Sequence, residues 1–235
     1  MVRIHAFGCS LTAQHCWRHL QGVDTTSYAV PGGSHNMQLV MYGNGRHAET
    51  IGRDDIIIWQ MTDPRRQAYN VKRQEGMVFY RDPVKSPDVT LNQKDPGRLI
   101  TNNIYTGKEM DMFTNHLFAH WFKGESLHSY CRIEAELADN EDNIYPLLWS
   151  LNGIKRMNEK LIVVFGWDEG LHNGCKEKMI NFFGLNGIAH IEPSILNWTI
   201  ENGYKQSSTN HPNTEGYKAF TNEILEPKLQ QLGWI

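Results

Sequence analysis

Two short runs that are mainly apolar and do not alternate with polar residues constrain the fold of this chain more than any other feature. Residues 55–61 (DIIIWQM) contain three consecutive isoleucines, and residues 161–165 (LIVVF) are apolar throughout. A strand with one solvated face alternates polar and apolar residues, whereas a strand covered on both faces does not need to. Both runs therefore predict buried strands of a sheet that carries helices on each side.

Weaker signals extend these two strands into a repeating pattern of strands and helices. Further short strands are predicted at residues 2–7, 27–30 and 188–191. Helix-like spacing occupies residues 11–20, and residues 213–232 are predicted to form the last helix, with an interruption at Pro227. Alternating strands and helices favour an α/β fold with a mainly parallel sheet.

A helix is also predicted to follow the turn that Pro31, Gly32 and Gly33 form. Ser34 stands where its hydroxyl could accept a hydrogen bond from the first free N–H groups of a helix running toward Asn44. This segment would lie between the predicted strands at residues 27–30 and 55–61.

The alternation lapses between residues 64 and 145. The first part of this segment, to about residue 108, is polar and rich in Pro, Asn, Asp and Lys, whereas residues 111–137 have helical spacing and several aromatics. A loop of this length without secondary structure is uncommon in a compact domain. Residues 64–145 are therefore predicted to form a partly helical insertion over the strand ends, within a single domain of residues 1–235.

Composition excludes several classes of function. Apolar residues make up 40% of the 235 residues, which is enough for a packed core, and the net charge of −3 without a basic run argues against nucleic acid and anionic membranes as partners. No stretch approaches the roughly 20 apolar residues of a membrane span. The four cysteines form no CxxC pair, which favours a reducing compartment and a cytoplasmic protein.

Ser10 and His211 are the residues most suited to chemistry. Ser10 directly follows the first predicted strand, and ligands of open α/β sheets bind beyond the carboxyl ends of the strands. His211 precedes the last helix, and a neutral histidine is the usual base that activates a serine hydroxyl. Taken singly, each residue could equally be a structural cap of the helix beside it.

Four segments resemble the sequence blocks of the SGNH (GDSL-like) hydrolase superfamily. FGCSLT resembles the first block, which usually reads GDS, and AVPGGSHN resembles the second. IIIWQMTD resembles the third block, which normally ends Gly-x-Asn-Asp, and NHPNTEGY resembles the fifth, which supplies Asp-x-x-His-Pro. The resemblance is closest to the divergent branch whose first block reads FGCS. It implies a three-layer, doubly wound α/β fold of flavodoxin-like type with five strands.

The resemblance also implies a role for each matching residue. Ser10 would be the nucleophile and His211 the base. The oxyanion would be bound by the N–H groups of Ser10 and Gly32, with Gly33 as the alternative, and by Thr62 at the position that is asparagine in the family. Donors aimed at such a developing charge are each worth about 3–4 kcal/mol.

Three residues depart from the family pattern. Cys9 replaces the aspartate before the serine, and Thr62 offers a shorter donor than asparagine. Ser208 occupies the position three before His211 where the triad aspartate belongs, and loss of that carboxylate costs about 10⁴ in rate in other triads. Asp168 and Glu169 follow the strand at residues 161–165 and could substitute, but the acid stays unassigned.

The sequence thus predicts a serine esterase that acts on a small acyl ester, such as an O-acetyl group on a carbohydrate or other polar alcohol. Neither a metal nor an organic cofactor is predicted, because His116 and His120 are only two potential ligands on one helix face. Two alternatives remain open: a binding or structural protein that kept the fold but lost efficient catalysis, and an acyltransferase on the same scaffold. The sequence assigns no oligomeric state.

Overall fold

Parallel strands form the central sheet of the protein. The computed structural model describes residues 2–13, 16–29, 34–62, 68–72, 110–114, 144–168, 175–207 and 211–235. The strands within these ranges are β1 (Val2–Phe7), β2 (Val23–Ser27), β3 (Ile56–Met61), β4 (Ala68–Lys72), β5 (Met110–Thr114), β6 (Leu161–Phe165) and β7 (Ala189–Ile191).

The five-stranded sheet has the order β2-β1-β3-β6-β7, and every neighbouring pair is parallel. This order is the flavodoxin-like arrangement, in which the chain winds first to one side of β1 and then to the other. The direction of winding reverses between β1 and β3. The carboxyl ends of these two strands therefore border the crevice in which ligands of such sheets bind.

Helices cover both faces of the sheet. They are α1 (Ser10–Ala13), α2 (His35–His47), α3 (Tyr145–Met157), α4 (Cys175–Leu185), α5 (Ile195–Glu201), α6 (Thr214–Phe220) and α7 (Glu226–Gln231). A 3₁₀ turn at Cys16–His19 follows α1, so the helix-like spacing of residues 11–20 corresponds to two short helical pieces. None of the helices in the described ranges is both long and apolar enough to cross a bilayer.

Because side chains alternate between the two faces of the sheet, the core consists of two apolar clusters, one on each face. On one face, Trp59 and Val163 pack with residues of α2, α3 and α4. On the other face, Ile58 and Val164 pack with Trp17, α5, α6 and α7. The fold is therefore a three-layer, doubly wound α/β domain, as the sequence predicts.

The two apolar runs of the sequence are the central strands. All residues of β3 and β6 are buried, and each strand is paired on both sides. Pairing and burial on both faces explain why neither run alternates between polar and apolar residues.

The prediction of a strand at residues 27–30 was wrong in its position. The strand is β2, four residues earlier, and most of its side chains are exposed or half-buried. Because β2 is an edge strand with polar residues on its surface, its sequence (VDTTS) carries little of the apolar signal that marks a central strand.

The interruption that Pro227 predicts in the last helix is present. Helix α6 ends at Phe220, a π-helical turn spans Thr221–Leu225, and α7 begins at Glu226 with the proline in its first turn. The Glu226 N–H donates to the Thr221 carbonyl oxygen across the π-helical turn, so the chain passes Pro227, which has no N–H of its own, as a locally distorted helix.

Within the predicted insertion the structure describes a two-stranded antiparallel ribbon. Strand β4 pairs with β5, from Ala68 opposite Thr114 to Lys72 opposite Met110. The helical spacing predicted for residues 111–137 is therefore wrong at its start, where β5 lies, and residues 115–137 are outside the described ranges. The extent of the insertion at residues 64–145 and the role of this insertion remain predictions.

Candidate active site

Ser10 lies at the carboxyl end of β1, on the turn that opens α1. The N–H of Thr12 donates to the carbonyl oxygen of Cys9 at 3.1 Å, which closes the turn around the serine. Cys9 is fully buried in the core, whereas Ser10 is partly exposed. The two side chains therefore have opposite surroundings, and the buried thiol is not accessible as a competing nucleophile.

His211 lies on a loop that is held at both ends before α6. The Ser207 N–H donates to the His211 carbonyl oxygen at 2.7 Å, and the His211 N–H donates to the Ser207 hydroxyl at 3.2 Å. Asn213 caps α6 by accepting the N–H of Gly216 at 2.9 Å. These bonds fix the backbone on each side of the imidazole.

The fold brings Ser10 and His211 into direct contact across 201 positions of sequence. The imidazole Nε2 lies 2.6 Å from the Ser10 Oγ, and both residues are partly exposed. With a neutral imidazole the hydroxyl donates to Nε2. This is the geometry of a nucleophile beside its general base.

Thr62 is fully buried at the end of β3, and its backbone is held by His35 from the start of α2. His35 Nε2 lies 3.1 Å from the Thr62 carbonyl oxygen and 3.3 Å from the Thr62 backbone nitrogen, so the ring contacts both backbone groups of that residue. The indole nitrogen of Trp59 lies 3.4 Å from His35 Nδ1, on the other side of the ring. His35 thus secures the residue that is predicted to help bind the oxyanion, a role that no spacing in the sequence indicates.

Several sequence predictions fall outside the described residues. These are the oxyanion donors Gly32 and Gly33, the Ser208 position, Glu169, and the pair His116 and His120. The Asp168 carboxylate, the other candidate acid, forms an ion pair with Lys176, whose ammonium group also donates to the Glu192 carbonyl oxygen at 2.8 Å. That carboxylate is therefore engaged by a lysine.

Gln60 is a site residue that sequence analysis missed. It is fully buried near the end of β3, and its Oε1 accepts hydrogen bonds from the Cys9 N–H at 3.2 Å and the Thr12 hydroxyl at 2.7 Å. The signal was available, because a glutamine within an otherwise apolar buried strand must find hydrogen-bond partners. It occupies the position that reads glycine in the Gly-x-Asn-Asp block resembled by IIIWQMTD.

The described residues contain no group of three or more His, Cys, Asp or Glu side chains placed to hold a metal ion. The chemistry that this part of the chain offers at the carboxyl edge comes from a hydroxyl, an imidazole and backbone N–H groups. Fold and site together define a flavodoxin-like α/β protein with a serine–histidine pair at the switch between β1 and β3.

Similarity to known proteins is found among solved structures. No family model matches the sequence, and neither does any curated protein. A lipolytic protein of the G-D-S-L family from Veillonella parvula is 14% identical, with 99% of this chain and 98% of that chain covered and a TM-score of 0.43. A catalytic mutant of an acetylxylan esterase from Geobacillus stearothermophilus is 9% identical, with coverage of 100% and 96% and a TM-score of 0.49.

An extracellular lipase from Streptomyces rimosus is also similar, at 10% identity, with coverage of 98% and 99% and a TM-score of 0.40. At these identities and TM-scores, the fold assignment rests on the sheet order and register of this chain. The functional argument rests on the site.

Proposed function

We propose that this protein is a serine ester hydrolase in which Ser10 is the nucleophile and His211 the general base. The observation that carries the proposal is the 2.6 Å separation of His211 Nε2 from Ser10 Oγ, at the edge of the sheet where ligands of this fold bind. A capping serine and a capping histidine, the structural alternatives, have no reason to face each other across 201 positions of sequence.

Acyl transfer through this pair takes two steps. Ser10 Oγ attacks the ester carbonyl carbon while its proton passes to His211 Nε2, and the proton then leaves with the departing alcohol. Water, activated by the same imidazole, attacks the acyl-serine and releases the acid. The negative charge that develops on the carbonyl oxygen would be stabilised by the N–H groups of Ser10 and Gly32 and by Thr62.

The proposed mechanism uses a serine–histidine dyad or an incomplete triad. Ser208 stands at the position of the family's aspartate and carries no charge to stabilise the imidazolium that forms during attack. The Ser207 contacts that hold the His211 backbone support correct placement of the ring without a carboxylate. Such a site is expected to be slower than one with a complete triad.

The proposed substrate is a small acyl ester of a polar alcohol, such as an O-acetyl group on a carbohydrate. The polar sequence of the first half of the insertion supports this preference over long lipid esters. A cytoplasmic location is proposed from the unpaired pattern of the four cysteines.

The proposal is tested by hydrolysis of p-nitrophenyl acetate by the wild-type protein, Ser10→Ala and His211→Ala. We expect each substitution to lower kcat by about 10²-fold or more, because each removes one half of the acyl-transfer pair from a site that already lacks the triad carboxylate. A fluorophosphonate should label wild-type Ser10 and should label neither variant at a comparable rate. Equal hydrolysis by all three proteins would contradict the proposal and favour a binding protein.

The acyltransferase alternative uses the same acyl-serine and differs only in what removes the acyl group. Addition of glycerol or a simple sugar during the assay separates the two. Transfer of the acetyl group to the added alcohol in preference to water would identify a transferase, whereas release of acetate alone supports the hydrolase.

A further inference from the structure

Gln60 lies directly beneath the turn that carries Ser10. Its side chain belongs to the same face of β3 as Ile56 and Ile58, which pack into the cluster under α1 and α6. Gln60 is the third residue on this face, and it carries an amide where the two residues before it are isoleucines. A buried amide in that place is costly unless all of its groups are bonded.

The hydrogen bonds of Gln60 converge on the two residues that flank the serine turn. Oε1 accepts from the Cys9 N–H at 3.2 Å and from the Thr12 hydroxyl at 2.7 Å, and Nε2 donates to the Cys9 sulfur at 3.2 Å. The backbone N–H of Cys9 can only donate, so it fixes which amide atom is the oxygen. Ser10 lies between these two anchored residues.

The space for this amide is created by glycines on both neighbouring strands. A Cβ on Gly8, just after β1, would lie 2.4 Å from Thr12 Oγ1 and 2.6 Å from Gln60 Oε1. A Cβ on Gly166, just after β6, would lie 2.5 Å from Gln60 Nε2. Real Cβ contacts are never so short. The ends of β1 and β6 therefore need glycine where the Gln60 side chain of β3 lies between them.

We infer that Gln60 is a positioning residue, which ties the Ser10 turn to the centre of the sheet and sets both the Ser10 Oγ–His211 Nε2 contact and the direction of the Ser10 N–H. This inference rests on the proposed function, since it assigns the glutamine a role in acyl transfer. Displacement of a reacting group by about 1 Å can cost 10²-fold in rate, so the anchor of the turn controls reactivity without touching substrate.

The first test compares Gln60→Met with Asn158→Leu. Methionine keeps the length of the side chain and loses the amide. Asn158 is an equally buried amide at the opposite end of β3, where it donates to the carbonyl oxygens of Gly52 and Arg53 and accepts from Tyr42. Its replacement therefore controls for the loss of a buried amide as such.

We expect Gln60→Met to lower kcat for p-nitrophenyl acetate and the rate of fluorophosphonate labelling by about 10- to 100-fold, with KM changed by less than about threefold. Asn158→Leu should lower the thermal midpoint but keep both rates within about twofold, because the two sites are independent. Equal loss of rate in the two variants, measured at equal distance below each thermal midpoint, overturns the inference.

The second test is the pH profile of Gln60→Glu, which preserves the size of the side chain and one acceptor oxygen. The neutral carboxyl at low pH imitates the amide, whereas the ionised form has no donor for the Cys9 sulfur and places a negative charge beneath the Ser10 turn. Wild-type kcat/KM should rise with pH as His211 loses its proton, and the ratio of Gln60→Glu to wild type should fall over the range in which the new carboxyl ionises. A ratio that stays constant with pH counts against a positioning role.

A readout independent of activity separates this inference from the proposed function. Hydrogen exchange of the Cys9 amide should be faster in Gln60→Met than in Asn158→Leu at matched global stability, because that N–H loses its acceptor. If wild-type hydrolysis does not depend on Ser10, the proposed function fails while faster exchange still supports the anchor. Unchanged Cys9 exchange overturns the anchor itself.

Discussion

The two ends of the β1–β3 pair each carry a histidine in a polar network, but the networks differ in their partners. At the amino end, His5 Nε2 lies 2.9 Å from Asp55 Oδ2, and the histidine is buried. At the carboxyl end, His211 Nε2 lies 2.6 Å from the Ser10 hydroxyl, and both residues are partly exposed. A histidine with a carboxylate and a histidine with a serine hydroxyl thus lie at opposite ends of the same two strands.

The amino-end network is organised around charge. Asp55 accepts the Gly52 N–H at 2.6 Å, binds the Arg3 guanidinium through both carboxylate oxygens at 3.0 Å, and contacts His5. Burial raises the pKa of Asp55, but the Gly52 N–H, His5 and Arg3 together outweigh burial and hold that pKa below its ordinary value of 3.8. The network therefore stabilises the loop before β3 and the start of β1.

The carboxyl-end network of the described residues consists of a hydroxyl, an imidazole and an amide, and both Ser10 and His211 are partly exposed. Gln60 holds the serine turn from below, and the Ser207 contacts hold the histidine loop. The amino-end histidine is buried against a carboxylate, whereas the carboxyl-end histidine is partly exposed and faces a hydroxyl. Under the proposed function, only the second histidine takes part in catalysis.

The largest expected effect comes from exchanging the two histidines for asparagine one at a time. His211→Asn should lower kcat for p-nitrophenyl acetate by about 10²-fold or more because the serine loses its base, with little change in unfolding free energy. His5→Asn should lower the free energy of unfolding by about 2 kcal/mol, because it removes a buried hydrogen bond to a carboxylate. Its kcat should stay near the wild-type value.

Parallel denaturant titrations and steady-state assays of the two variants check this prediction. The distinction between the two ends breaks down if His5→Asn lowers kcat as much as His211→Asn, or if His211→Asn is the less stable protein.

The central part of the fold could be predicted from the sequence because its residues have no other satisfactory environment. The runs that form β3 and β6 are buried on both faces, so their composition alone reports their place in the sheet. The position of edge strand β2 was predicted wrongly, because its side chains contact solvent and do not need to be apolar. The ribbon of β4 and β5 was missed because its pairing joins segments that are distant in sequence.

The sequence identified the two residues at the centre of the candidate site, but not the residues that hold the neighbouring backbone in place. Ser10 and His211 were selected by their positions at the ends of predicted elements, and the structure places them in contact. Gln60 and His35 were not selected, because their roles depend on which side chains lie across neighbouring elements. Residue type and spacing do not encode such lateral contacts, although a lone glutamine in a buried strand is a usable signal.

A smaller effect is expected from Asp55→Asn at the amino end. The folded-state pKa lies below 3.8, so the carboxylate contributes stability at pH values above 3.8 and loses this contribution as pH falls through the folded-state pKa. At neutral pH the variant should be less stable by about 1.5–2 kcal/mol, because the uncharged amide weakens three charge-assisted bonds. As pH falls from 3.8 through the folded-state pKa, the gap to wild type should close.

The adjacent Asp54, which is exposed, provides the matched control. Unfolding free energies of Asp54→Asn and Asp55→Asn, measured from pH 2 to about pH 7, should show the closing gap only for Asp55→Asn. If the difference in unfolding free energy between Asp55→Asn and wild type stayed unchanged at acidic pH, the charge of Asp55 would not be what stabilises this end of the sheet.

The smallest expected effect comes from Tyr42→Phe, which removes one neutral hydrogen bond from the same end. The buried Tyr42 hydroxyl donates to Asn158 Oδ1 at 2.6 Å, so its loss should cost about 1 kcal/mol. Burial raises the pKa of Tyr42, although Arg46 opposes the shift, so the folded protein favours the neutral phenol and wild type should lose stability as pH rises above 10.0. Tyr42→Phe should flatten that alkaline limb.

The Tyr28 hydroxyl, which has only a long exposed contact of 3.4 Å to Thr50, supplies the control. Tyr28→Phe should cost less than about 0.5 kcal/mol, and both phenylalanine variants should be labelled by fluorophosphonate at the wild-type rate. Slower labelling of Tyr42→Phe would mean that the amino-end network reaches Ser10 through β1 and β3, and the two ends could no longer be treated as separate. Unchanged labelling with the expected loss of stability would show that the same two strands carry stabilisation at one end and reactivity at the other.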